Sequence, residues 1–187
     1  MVKNVVLSLQ ADKFENIIEF IELARKRKVN IIVLKAGDIL KIDRETNFEV
    51  LFPDEKNIIS ANKINNNSLV IKLKYKNFSM LFTGDIEEEG EEAILKKYAN
   101  EPEKLKSYVL KVAHHGSKTS STAKFIEAVK PEAVLIGVGK NNLFNHPNQE
   151  ILERFKKFNI KIYRTDKNGE IIMRVKDSKL KIVSKFK

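Results

Sequence analysis

Short apolar runs rich in β-branched residues recur along this chain, most of them alternating with polar positions. They predict strands at Val5–Leu9, Asn30–Leu34, Phe48–Phe52, Ser68–Tyr75, Phe78–Phe82, Tyr108–Ala113, Ala133–Val138, Lys161–Arg164, Glu170–Val175 and Leu180–Val183. Between some of these runs the apolar spacing lengthens to that of a helix. Phe14, Ile17, Ile18, Ile21 and Ala24 form one such set, and Ile86, Ala93 and Ile94 a second. Phe125, Ile126 and Val129 form a third, and Ile151, Leu152, Phe155 and Phe158 a fourth. Turn residues at Lys76-Asn77, Lys167-Asn168-Gly169 and Asp177-Ser178 predict hairpins, whereas helices separate the other strands. The expected architecture is therefore an α/β sandwich with mixed sheets and helices on its outer faces.

The length of 187 residues and 42% hydrophobic content suit one domain spanning residues 1–187, with no repeat or low-complexity linker to divide it. Its longest polar loop runs from Asp54 to Asn67, and long loops often carry function. No apolar run approaches the roughly 18–20 residues that span a bilayer, and the N-terminus lacks a secretory pattern, so a soluble fragment is expected. Cysteine is absent, which excludes disulfides and thiolate metal sites. A metal would have to be held by His, Asp, Glu, Asn or water. With 35 Lys and Arg against 25 Asp and Glu, the net charge of +10 favours polyanions, although dispersed lysines also suit an ordinary solvated surface.

Chemistry-bearing residues gather where predicted strands end. Ser79–Phe82 runs into Thr83-Gly84-Asp85 and an acidic helix start, Glu87-Glu88-Glu89. A carboxylate at a strand's C-terminal edge faces the crevice where α/β proteins bind ligands, and it can bridge divalent cations. The same Asp would equally serve as a turn or helix cap. Tyr108–Ala113 leads into His114-His115-Gly116, then Ser117, Lys118, Thr119, Ser120 and Ser121. Adjacent side chains on an extended backbone diverge, so one imidazole could ligate metal while the other meets substrate, and the hydroxyls could donate to phosphate. A hydroxyl-rich cap behind surface histidines accounts for the same pattern. Gly137–Pro147 contains Asn141 and His146, with Pro147 suited to a first helical turn and His146 placed to contact an anion or protonate a leaving oxygen. A Gly/Asn-rich turn is the plainer alternative. Asn65-Asn66-Asn67-Ser68 reads as an Asn-rich turn unless neighbouring loops meet it. For Phe144, Phe158 and Tyr163, hydrophobic packing is expected ahead of base stacking.

Taken in order, Asn65–Leu73, Leu81–Asp85, Leu110–Ser121, Lys130–Gly139, Asn141–Pro147 and Tyr163–Ile171 resemble the ComEC-like competence branch of the metallo-β-lactamase superfamily. The resemblance covers about Asn30 to Val175. It implies a four-layer αββα fold and divalent-metal hydrolysis of phosphodiesters, with zinc or manganese as cofactor. It also implies a domain attached to a membrane channel that takes up single-stranded DNA. By this resemblance Asp85 matches the bridging metal ligand, and His114 and His115 match the last metal-binding motif, with either one as the ligand. His146 joins them as a catalytic candidate. Ser117, Lys118, Thr119, Ser120, Asn141 and His146 match phosphate-facing loops, while Asn66, Asn67 and Ser68 match the loop before the central hairpin. The family's His-x-His-x-Asp-His motif is absent, and this chain has three histidines in all. In the family that motif stands before a segment like Phe14–Leu34. The expectations are therefore a domain whose N-terminal part is missing, an inactive fragment of a metal-dependent nuclease, and an intact protein attached to a membrane. The alternative is a non-catalytic nucleic-acid-binding or interaction domain of the same fold.

Overall fold

The computed structural model describes residues 2–9, 15–176 and 179–186. Its centre is a seven-stranded sheet ordered β3-β4-β5-β6-β7-β8-β9. The strands are β3 (Ile39–Lys41), β4 (Thr46–Phe52), β5 (Val70–Tyr75), β6 (Phe78–Phe82), β7 (Val109–Lys111), β8 (Ala133–Ile136) and β9 (Lys161–Arg164). Strands β3 to β6 are antiparallel neighbours, whereas β6 to β9 run parallel. That division follows from the connections: the Lys76-Asn77 turn closes a hairpin, while each parallel step needs a crossover. The crossovers carry α3 (Glu88–Lys97), α4 (Ala123–Val129) and α5 (Gln149–Lys157), beside a short earlier helix, α2 (Lys63–Asn66).

Strand alternation gives the sheet two apolar faces. Leu81, Leu110 and Val134 join Ile94, Ile126, Val129, Ile151 and Phe155 in one core beneath the helices. Met80 and Val109 point the other way and pack with Met173, Val175 and Leu180. Those last three belong to an antiparallel hairpin of β10 (Ile171–Lys176) and β11 (Lys179–Ser184). A further pair, β1 (Asn4–Ser8) and β2 (Asn30–Leu34), is parallel and connected through α1 (Glu15–Lys26). Removing Leu110, 1% exposed in the principal core, would cost about 2–5 kcal/mol.

All ten expected strands and four expected helices have counterparts among these elements. The chain also forms β3, whose three residues are too few to show a period. Lys167-Asn168-Gly169 does not close a hairpin. It lies in a one-turn helix, α6 (Thr165–Asn168), and Gly169 at φ +67 redirects the chain from the central sheet to the second one. The expected Asp177-Ser178 turn lies outside the described residues.

Candidate functional site

Parallel strands end together, so the loops after β6, β7 and β8 share one sheet edge. Strand β5 runs against β6, which brings its lead-in, Asn67-Ser68, to the same edge. Such C-terminal edges are the usual ligand crevices of α/β sheets.

Asp85 does not cap the acidic helix. The N-cap is Glu87, and the first helical N–H groups are taken by Asn66: its Oδ1 accepts from Glu87 N at 2.8 Å and Gly90 N at 3.1 Å. The Asp85 N–H donates to Ser68 Oγ at 3.1 Å. Gly84 makes this approach feasible, because its φ is +55 and a Cβ there would lie 2.6 Å from Ser68 Cβ. The Asp85 carboxylate accepts no hydrogen bond from the described residues, which leaves its oxygens available. A short link joins this loop to the next, since the His114 N–H donates to the Gly84 carbonyl at 3.1 Å.

The two histidines leave their strand in a tight turn, with φ +46 at His114 and +54 at His115, and not on the extended backbone the sequence suggested. Their side chains nevertheless part. His114 Nδ1 lies 3.2 Å from Glu87 Oε1 but is not aligned to donate to it, so this buried nitrogen makes no hydrogen bond. Glu87 itself accepts from Thr119 Oγ1 and Asn62 Nδ2, which ties the acidic helix start to the hydroxyl-rich loop. His115 is exposed, and its Nδ1 faces the Gly137 carbonyl at 2.6 Å. A nitrogen facing a carbonyl must carry the proton, so Nε2 keeps its lone pair. Metal-ligating histidines are commonly oriented by this kind of bond.

His146 closes the group from the β8 side. Its ring lies 5.7 Å from that of His114. Burial, helped by the neighbouring His114 and His115, holds its pKa below the ordinary imidazole value. The two loops are in contact through Gly116, where a Cβ would come 2.6 Å from Pro147 Cβ, and the Gly116 carbonyl accepts from Asn148 N. Helix α5 starts at Gln149 behind an Asn148 cap, so Pro147 precedes its first turn and does not occupy it.

The remaining expected contacts divide. Lys118 and Asn141 are exposed. Ser117 and Ser120 are buried, and Ser120 Oγ donates within its own turn to Ala113 and Ser117 carbonyls. Asn67 is also buried: Ile59 N donates to its Oδ1, and its amide donates to Ile59 and Lys63 carbonyls. These polar groups serve the loops themselves. Thr122, beyond the serine run, caps α4.

Two site residues escaped the sequence reasoning. Lys111 looked like an ordinary polar position in a strand. Burial lowers its pKa, opposed by the nearby Asp85 carboxylate, and its ammonium donates to the Val112 carbonyl at 3.0 Å. Glu91 looked like one more acid on a solvated helix, yet it is fully buried. It accepts from Ser121 N, Thr122 N and Thr122 Oγ1, pinning the loop behind the histidines. Burial raises its pKa to about 7 despite those bonds.

No family model matches the chain. Over 157 residues it is 38% identical to ComE operon protein 3 of Bacillus subtilis (strain 168), an overlap of 84% of this chain and 19% of that protein. Competence protein ComA of Neisseria gonorrhoeae is 36% identical over 124 residues, or 66% of this chain and 17% of its own length. The chain is homologous to a segment of the ComEC-like competence proteins. It spans about a fifth of the length of these curated relatives. A solved chain from Parabacteroides distasonis, described as a metal-dependent hydrolase, superposes with a TM-score of 0.51 at 13% identity. That overlap covers 89% of this ComEC-like chain and 78% of the solved one, and the shared architecture is metallo-β-lactamase-like. Among the described residues no helix is long and apolar enough to cross a membrane.

Proposed function

We propose that this chain supplies one side of a divalent-metal phosphodiesterase site that acts on DNA during uptake by a larger competence protein. The observation that carries this is the backbone bond from His114 to Gly84, which joins the Asp85 loop to the histidine turn at a single sheet edge. Asp85 and His115 Nε2 are two metal-ligating candidates with free lone pairs there. Either zinc or manganese suits them.

The residues present do not complete a metal site. Among those described, no three His, Asp or Glu side chains converge to hold an ion. Catalytic zinc sites use about three protein ligands each. In this proposal the other ligands come from a His-x-His-x-Asp-His segment in the longer protein. The bound ions would supply Lewis-acid stabilisation of the phosphate and a water ionised near neutral pH. The chain's own residues hold the geometry: Gly137 fixes the His115 tautomer, Ser68 fixes Asp85, and His146 stands at the same edge to contact the phosphate.

Residues 1–187 alone are expected to be inert toward single-stranded DNA with added manganese or zinc. A longer protein bearing the His-x-His-x-Asp-His segment is expected to cleave it, and Asp85→Ala to remove that activity. Metal-dependent cleavage by residues 1–187 that Asp85→Ala stops would overturn the incomplete-site account. No cleavage by the longer protein would favour the second proposal, a non-catalytic domain that holds polyanions through its net charge of +10.

A further inference from the structure

Leu143 and Phe144 sit at the tip of the loop between β8 and α5 with 94% and 78% of their surface exposed. Exposure of this size is uncommon for adjacent large apolar side chains, and here it adjoins the histidine cluster. Phe144 lies on the His146 ring at 5.9 Å with the planes 21° apart, and His146 in turn meets His114 edge-on at 5.7 Å. One face of the phenyl ring is thus occupied, while the side chain remains mostly open to water.

The tip is braced. Asn142 accepts from His146 N at 2.9 Å and donates to the His146 and Gly139 carbonyls at 2.7 and 3.2 Å. Two non-glycine residues, Asn141 and Asn145, are held at positive φ around it. Pro147 rests against Gly116 just behind. An exposed cation, Lys140, lies on the same loop as the tip.

We infer that Phe144 is a stacking platform for an unpaired nucleobase, which extends the His146–Phe144 stack and sets a single-stranded polynucleotide across the site with its phosphates toward Lys140. The inference rests on the proposed DNA reading and deepens it from a phosphodiester to a base-bearing single strand. Stacking on an aromatic side chain needs no particular base and no metal, so it predicts binding by this chain as it stands, without sequence preference. The phosphate part of the affinity falls with salt, and the stacking part is much less sensitive to it.

The test uses fluorescein-labelled oligothymidylate and an abasic oligomer of the same length and charge, followed by fluorescence anisotropy. The unaltered chain should bind the base-bearing strand about tenfold more tightly or better than the abasic one. Phe144→Ala should abolish that difference while leaving abasic binding and its salt slope in place, and Phe144→Tyr should keep it. Equal binding of both oligomers by the unaltered chain would overturn the platform while leaving the polyanion reading intact. Binding of neither would overturn both. Phe144→Ala that leaves oligothymidylate binding intact but releases the chain from vesicles of phosphatidylcholine and phosphatidylglycerol would mark the tip as a membrane contact and overturn the inference. A thermal melt of Phe144→Ala matching the unaltered chain guards against a folding artefact.

Discussion

Two sets of polar residues meet at the same edge of the central sheet and are built on opposite plans. The inner set, Asn66, Asn67, Ser120 and Glu91, is buried, and its polar groups are satisfied within the protein. The outer set, Asp85, His115, His146 and the Leu143–Phe144 tip, reaches solvent and keeps donors, acceptors or ring faces unspent. Full satisfaction makes a polar residue part of the scaffold, because an unpartnered buried group is costly. Incomplete satisfaction at a braced, exposed position leaves chemistry to offer. The difference shows that polarity at a strand end does not by itself leave bonding capacity for a ligand; burial and the partners within the fold decide how much is left.

The comparison breaks if the two sets respond alike to substitution. The largest loss of stability is expected for Glu91→Ala, which strands the buried N–H groups of Ser121 and Thr122. Urea denaturation should show a loss of roughly 3 kcal/mol, and under 1 kcal/mol would remove Glu91 from the scaffold. Its ionisation sharpens the point. Because the folded-state pKa is raised from the ordinary 4.5 to about 7, the native protein binds this proton more tightly than the unfolded chain does. That contribution is fully present below about pH 4.5 and is lost as pH rises through about 7, on the order of 3 kcal/mol across the window. Glu91→Gln should flatten this component of the pH–stability curve, and an unchanged curve would refute the assignment.

Asn67→Ala comes next, at about 2 kcal/mol, since it removes three bonds that hold the loop to Ile59 and Lys63. In the outer set, His115→Ala forfeits one bond at an exposed ring and should cost under about 1 kcal/mol. Phe144→Ala should be smallest, within about 0.5 kcal/mol in the same urea titration. A Phe144 loss comparable to that of Asn67 would mean that the tip is structural after all.

The long regular strands were legible because alternation and β-branched residues report burial on two sheet faces: Phe78–Phe82 and Asn30–Leu34 coincide with the observed strands. Elements of three or four residues, such as β3 and α6, are too short to reveal a period. Strand ends that run into loops were read too long at Tyr108 and Val138. Asp85, His115 and His146 were singled out because they follow apolar strands in sequence, and the structure sets their loops at one sheet edge. Hydroxyl and amide groups suit a phosphate and a buried turn equally well, and the burial of Ser117, Ser120 and Asn67 was not legible in the sequence. Glu91 and Lys111 were missed. Their surroundings come from loops distant in sequence, which no local pattern discloses. Phe144 was expected to pack, yet it stands exposed on a loop that Asn142 braces.

Strand β6 belongs to both halves of the sheet, and this orders events in time. Its pairing with β5 is closed by the Lys76-Asn77 turn alone, a local step that hairpins complete in about 1–10 μs. Its partners at the edge come from much farther along the chain: the Thr119–Glu87 bond spans 32 residues, and Arg154 reaches Ser121 across 33. Such distant closures are entropically dear and come late. A refolding or newly synthesised chain should therefore form its hairpin well before the loops of this edge meet, with strand signals running ahead of loop closure in stopped-flow records. The interval between the two is a window in which the strands stand but the edge they serve is unassembled.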